Sequence, residues 1–362
     1  MKRLSRRTFV VLLALLVPLT LLTFVWLSRP PDQNGSGGAL DSDLRESGRP
    51  LQALYRVEAQ AAEIGWTPAH LILAGDLWQE AGDLTRAVAY WEAALQSQPN
   101  DIRLLHTLAN AYLELQRWSR AVEALTRLVM LTPADAVVTE WAHFHLGLIQ
   151  AAVDPVAAHD HLARAADQPA YATDAAALTR VLRASTDDPL LALRVGLALA
   201  DQARWAYAEI AFRHAANQDS GYPEALAYTG LARDRQGKDG AAWIAQAVSV
   251  DPQNPQVRYL QGLHLRHSGD YAASLDALIL ATALAPENPA LYAELGLAYQ
   301  QVGDLLAAEH WLETAVALSN DDPRFIELLA ALRAEEAQLL AAFDLEALAD
   351  VSPTAAPPQA DD

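Results

Sequence analysis

The sequence predicts an all-α fold, a stack of about seven helix hairpins behind an N-terminal apolar span. Three observations predict it. Ala and Leu dominate a chain that is 52% hydrophobic, with 17 Gly and 19 Pro among 362 residues, and strong helix formers outnumber β-branched residues. A small residue recurs at Gly75, Ala109, Gly147, Gly196, Gly230, Gly262 and Gly296, at spacings of 34, 38, 49, 34, 32 and 34. Residues 8–28 carry no charge and follow Lys2, Arg3, Arg6 and Arg7.

The elements follow in chain order. Residues 1–7 form a basic segment expected to stay in the cytoplasm. Residues 8–28 reach about 30 Å at a helical rise of about 1.5 Å per residue, which matches the hydrocarbon thickness of a bilayer. The run ends "VWLSRPP", without the small-residue site of a cleaved signal, so a retained transmembrane anchor is expected, with the body outside the cytoplasm. Ser5, Arg6, Arg7, Phe9 and Val10 in "SRRTFV" are similar to the twin-arginine export motif, which leaves a released form open with the same topology. Residues 29–50 are rich in Gly, Pro and Ser and read as a flexible linker. Residues 348–362 read as a disordered tail.

The formal net charge is −19 while the four N-terminal cations stand apart from the body, so the body is more acidic still. Such a surface repels phosphate backbones, and nucleic acid is excluded as a partner. The absence of Cys excludes disulfides, thiol catalysis and thiolate-bound metals.

Each period repeats an internal pattern. An aromatic stands three residues after the small one at Trp78, Tyr112 and Tyr299. Ala87, Ala121, Ala158, Ala208, Ser274 and Ala308 open a second helix, followed by Trp91, Leu125, Leu162, Phe212, Leu278 and Leu312. Pro99, Pro133, Pro169, Pro252 and Pro286 close it. The turns "AGDL", "SGDY" and "VGDL" place Gly82, Gly269 and Gly303 at the end of the first helix and Asp83, Asp270 and Asp304 as N-caps of the second. Gly75 is expected to face Ala87 and Ala94 where the two helices cross.

This pattern resembles the tetratricopeptide repeat over roughly residues 66–323. The resemblance implies a right-handed superhelical solenoid in which stacked hairpins bury what no single hairpin can. Two irregularities stand out. The 49-residue step holds an extra helix over 171–185, which divides an N-terminal half (51–186) from a C-terminal half (187–322). The fifth unit has Gly240 where Ala is expected and reads as the weakest repeat. Residues 323–347 read as an amphipathic capping helix.

No phosphate-binding Gly loop and no Ser nucleophile elbow occurs, so no enzyme activity and no cofactor are expected. His143, His145, His159 and His161 cluster in the third unit, but i and i+2 on a helix diverge, so they are expected at the surface, without a metal. In the resembled family the first helices line a concave groove that holds a partner peptide. The positions here are Asn110, Trp141, Phe144, Leu148, Leu193, Leu197, Tyr259 and Leu263. Chaperone-binding members clamp a C-terminal carboxylate with a Lys/Asn/Arg set; only Asn110 fits it, and the Lys is missing. The apolar middle suits an amphipathic or apolar protein segment. The same positions would instead pack on neighbouring helices if the superhelix is tight, and the residues leave both readings open. The function expected is a membrane-tethered scaffold or adaptor, similar to bacterial single-span repeat proteins of envelope assembly or secretion. The alternative is a released or tethered chaperone-like carrier of exported polypeptides. Oligomeric state is left open.

Overall fold

A computed structural model of the protein describes residues 50–131, 136–184, 190–219 and 221–349. The basic segment, the apolar span, nearly all of the linker and the tail from residue 350 lie outside the described residues. Among the described residues there are seventeen helices and no strand, and no helix is long and apolar enough to cross a membrane. They form two compact units that divide between Gln98 and Pro99.

The first unit holds α1 (Pro50–Ile64) and the hairpin α2 (Pro68–Glu80) and α3 (Leu84–Ser97). Its core is Ala53, Leu54, Val57, Ala74 and Leu77, flanked by Leu73, Trp78 and Tyr90. The second unit begins with the hairpins α4 (Ile102–Glu114) and α5 (Trp118–Leu131), then α6 (Ala136–Gln150) and α7 (Pro155–Ala165). The unpaired α8 (Pro169–Ala184) follows. Then come α9 (Leu191–Asp201) with α10 (Trp205–Gln218), and α11 (Pro223–Asp234) with α12 (Ala241–Val250). The last hairpins are α13 (Pro255–Ser268) with α14 (Tyr271–Leu284) and α15 (Pro289–Gln301) with α16 (Leu305–Leu318). The long α17 (Pro323–Ala349) seals them through Phe325, Leu329 and Leu332. One core runs without a break from Phe144 in α6 to Leu263 in α13. The division expected near residue 186 is therefore absent there, because Ala175, Leu178 and Leu182 of α8 join the cores on either side.

Local chemistry sets the hairpins. Gly82, Gly269 and Gly303 end their first helices at φ of 85°, 86° and 83°, a left-handed conformation that costs other residues about 1–2 kcal/mol. Asp83, Asp270 and Asp304 then accept from the backbone N–H of Arg86 (2.9 Å), Ala273 (3.2 Å) and Ala307 (3.0 Å). Hairpins α4/α5 and α9/α10 lack that Gly. Gln116 and Ala203 occupy the left-handed position instead, at φ of 55° and 57°.

The helix crossings differ from expectation in one respect. The residue that needs Gly75 is Trp91, rather than Ala87 or Ala94: a Cβ on Gly75 would lie 2.4 Å from Trp91 Nε1. Gly196 meets Phe212 Cε1 at the same 2.4 Å, and Gly262 meets Leu278 Cγ at 2.6 Å. The fifth unit makes the tightest backbone approach, since a Cβ on Gly240 would lie 2.3 Å from the Gly230 carbonyl oxygen. Gly240 thus permits the crossing it was expected to weaken.

Gly75→Ala is expected to lower stability by about 1–3 kcal/mol through overpacking against fully buried Trp91. The hairpin α4/α5 carries an Ala109 and Leu125 pair at the same positions, both fully buried. Combining Gly75→Ala with Trp91→Leu should therefore cost less than the sum of the two single changes in urea unfolding. Strict additivity would place the clash elsewhere.

Candidate binding groove

Six of the eight groove residues expected from sequence belong to the main core or pack against it. Phe144, Leu148 and Leu263 are buried within that core, at 1%, 1% and 9% exposure, and Leu193, Leu197 and Tyr259 are partly buried against it. Asn110 on α4 is exposed, and Trp141 on α6 is half-buried. Phe144 and Leu148 therefore do not line an open surface. Phe144 stacks on Tyr171 of α8 with centroids 4.4 Å apart and planes 15° apart, while the Arg204 guanidinium covers its ring at 4.9 Å. Arg204 is fixed in turn by its Nε donating to Asp174 of α8 at 3.1 Å. The extra helix thus supplies Tyr171 and, through Asp174, holds Arg204, and the two together remove Phe144 from the groove.

Trp141 stands between His106 of α4 (4.4 Å) and His145 of its own helix (4.9 Å). From there an aromatic seam crosses to α10. His145 Nδ1 lies 2.6 Å from the Tyr207 hydroxyl, and Trp118 of α5 lies 5.4 Å from the Tyr207 ring. Burial holds the Tyr207 phenol well above its usual range and so keeps it protonated. Burial also lowers His145 to about 3, aided by the nearby charges of Arg204 and His106. Both groups are therefore neutral and joined by one hydrogen bond.

The histidines are not the surface set expected from sequence. His143 is 3% exposed, and its Nδ1 lies 2.7 Å from Nδ1 of His161 on α7. Burial first, then His161 and Arg164, lower His143 to about 4. His159 accepts from Arg183 Nε at 3.3 Å. The four imidazoles therefore make three separate contacts, one of them between two of their own number, and no group of three potential metal ligands converges among the described residues.

Sequence reasoning missed a polar closure at the hairpin turns. Glu209 of α10 is 5% exposed and accepts from Arg233 (3.2 Å), Gln236 (3.0 Å) and Lys238 (3.1 Å). Burial opposes its ionisation, yet the hydrogen bonds from Gln236 and Lys238 hold the carboxyl below the usual carboxylate range. Lys238 also donates to Gln116 Oε1 at 2.5 Å, and Gln116 Nε2 donates to Gln236 Oε1 at 2.7 Å. The α4/α5 turn is thereby tied to the α11/α12 turn. The signal in the sequence was "LQRW" in place of the Gly-Asp turn of the other repeats.

Two family models, each described as tetratricopeptide repeat, match residues 79–139 and 289–322. Repeats of this family serve as protein–protein interaction scaffolds. No curated protein matches the chain. Similar solved structures include a tetratricopeptide repeat protein from Parabacteroides merdae, 14% identical over 81% of this chain and 96% of that one, with a TM-score of 0.35. Yeast Tom70 is 14% identical over 87% and 91%, with a TM-score of 0.36. YrrB, described as a TPR protein with an unusual peptide-binding site, is 12% identical over 66% and 96%, with a TM-score of 0.31.

The buried imidazoles make stability depend on pH. His143 and His145 bind protons more weakly folded than unfolded, where the reference value is 6.5, so acid favours unfolding. The melting temperature should be level above about pH 7 and fall from about 6.5 towards 4. His143→Gln should flatten the upper part of that fall. A variant whose profile superimposes on the wild type would remove His143 from this account.

Proposed function

We propose that the chain is a membrane-tethered interaction scaffold that holds another polypeptide outside the cytoplasm. The observation that carries the reading is the contrast on the first-helix face. Asn110 and Trp141 remain accessible on α4 and α6, while the neighbouring apolar positions are spent on the core. Trp141, braced by two imidazoles, has the form of a rigid aromatic anchor. The partner segment would lay an apolar side chain on Trp141 and meet the amide of Asn110. The matched repeats support protein binding, and the uncharged run 8–28 behind four cations supports the tether and its orientation. Envelope assembly or secretion is the setting this topology suits.

Proximity labelling from the body in intact cells would identify the partner and the compartment together. An adaptor should recover one or two proteins, whereas a carrier of exported chains should recover many with weak affinity. Trp141→Ala is expected to weaken binding of the recovered partner about tenfold or more with the helical spectrum unchanged. Phe144→Ala should instead unfold the chain more readily, by about 3–5 kcal/mol. Equal binding by wild type and Trp141→Ala would overturn the groove assignment. Alkaline carbonate should leave the full chain with the membrane pellet, and extraction into the supernatant would overturn the tether.

A further inference from the structure

We infer that Gln116, Glu209, Gln236 and Lys238 form a releasable latch that closes the aromatic seam joining α5, α6 and α10. The inference rests on the binding reading only for its use, since the seam begins beside Trp141. Three observations carry it.

The first is composition. Polar pairs elsewhere join neighbouring hairpins, as His264 does Asp234, but the tie between the α4/α5 and α11/α12 turns passes over the hairpins between them and is made of two amides and one ammonium, which the Glu209 carboxylate of α10 also holds. Polar contacts of this kind exchange for water at small net cost, because each group finds a partner in either state. Gln116, Gln236 and Lys238 are all partly exposed, so water reaches them. Glu209 alone is buried, and it keeps Arg233 within its own neighbourhood when Lys238 leaves.

The second is backbone strain placed at the tie itself. Gln116 sits at φ 55°, where four other hairpins use Gly, at Gly82, Gly237, Gly269 and Gly303. A Gly there would ease the turn. Gln supplies the side chain that bonds Gln236 and Lys238, so the turn accepts strain in return for the tie. The hairpin α9/α10 also lacks the Gly, but its Ala203 has no side chain to make such a bond.

The third is what the latch holds shut. Trp118 and Tyr207 are only partly buried, and their contact spans α5 and α10. The tie between the turns and the pair of His145 with Tyr207 bridge the same two sides of the seam. Parting the tie leaves the seam with ring contacts and one hydrogen bond, and opening it would extend the accessible aromatic surface from Trp141 to Trp118 and Tyr207. The occupant is the apolar or amphipathic segment proposed above.

Hydrogen exchange on the full chain tests the latch without any partner, so its failure is separate from failure of the binding reading. Gln116→Gly removes the side chain and relieves the turn. Amides of α10 and of the α11/α12 turn should exchange about tenfold faster, while those of α4 and α5 exchange no faster than in wild type. Lys238→Met should give the same pattern. The chain has no Cys, so Gln116→Cys with Gln236→Cys can be closed by a short bismaleimide, and closure should slow the same amides below wild type. Acrylamide quenching of Trp118, read as the difference from Trp118→Phe, should rise in Gln116→Gly and fall in the closed chain. Exchange and quenching that are equal in the open and closed forms would overturn the latch. Faster exchange throughout α4 and α5 in Gln116→Gly would also overturn it, because the side chain would then serve only its own hairpin.

Discussion

Every hairpin here depends on the absence of a Cβ, or the presence of a very small side chain, where its two helices cross. Trp91, Leu162, Phe212, Leu278 and Leu312 each point into the space opposite a Gly, and each is fully buried there. The crossing is close because the first helix is bare at that point, and the bulky residue fills what remains. Helix length, turn position and the seat of the next hairpin all follow from that crossing point. In the fifth unit both sides are bare, and Gly240 lies against the Gly230 carbonyl. That hairpin keeps the bulky side chain as well, since Ile244 stands opposite Gly230 as Leu312 does opposite Gly296.

The constraint also explains how interior and surface separate within one helix. Phe144 and Trp141 lie three residues apart on α6 and have opposite fates. Phe144 is claimed by Tyr171 and Arg204, which exist in this place because α8 interrupts the repeat. Trp141 meets His106 of the preceding first helix and stays half-buried. A groove inferred from repeat positions alone counts both as lining. The inserted helix turns the middle of that lining into core and leaves Asn110 and Trp141 to the outside.

Much of the fold was legible because its determinants are local. The Gly-Asp turns, the small residue at the crossing and the bulky residue that follows are separated by less than one repeat, so spacing alone exposes them. The site was legible only in part, because burial at Phe144 and Leu148 depends on α8, whose seat no spacing reveals. The histidines misled for a related reason. The divergence of i and i+2 on a helix was read correctly, but divergence does not mean exposure. His143 and His145 point to different neighbours, His161 and Tyr207, and both are enclosed. Gln116 was invisible because its partners lie far along the chain.

That distance has a consequence for synthesis. Gln116 and Gln236 are separated by 120 residues, whereas repeats of this kind ordinarily touch only their neighbours. At a ribosomal rate of about 5–20 residues per second, the α4/α5 turn waits roughly 10 s for its counterpart to be made. For the earlier part of that interval Trp118 is on hand with no Tyr207 to meet it, and the nascent chain shows an aromatic edge that the finished protein partly covers.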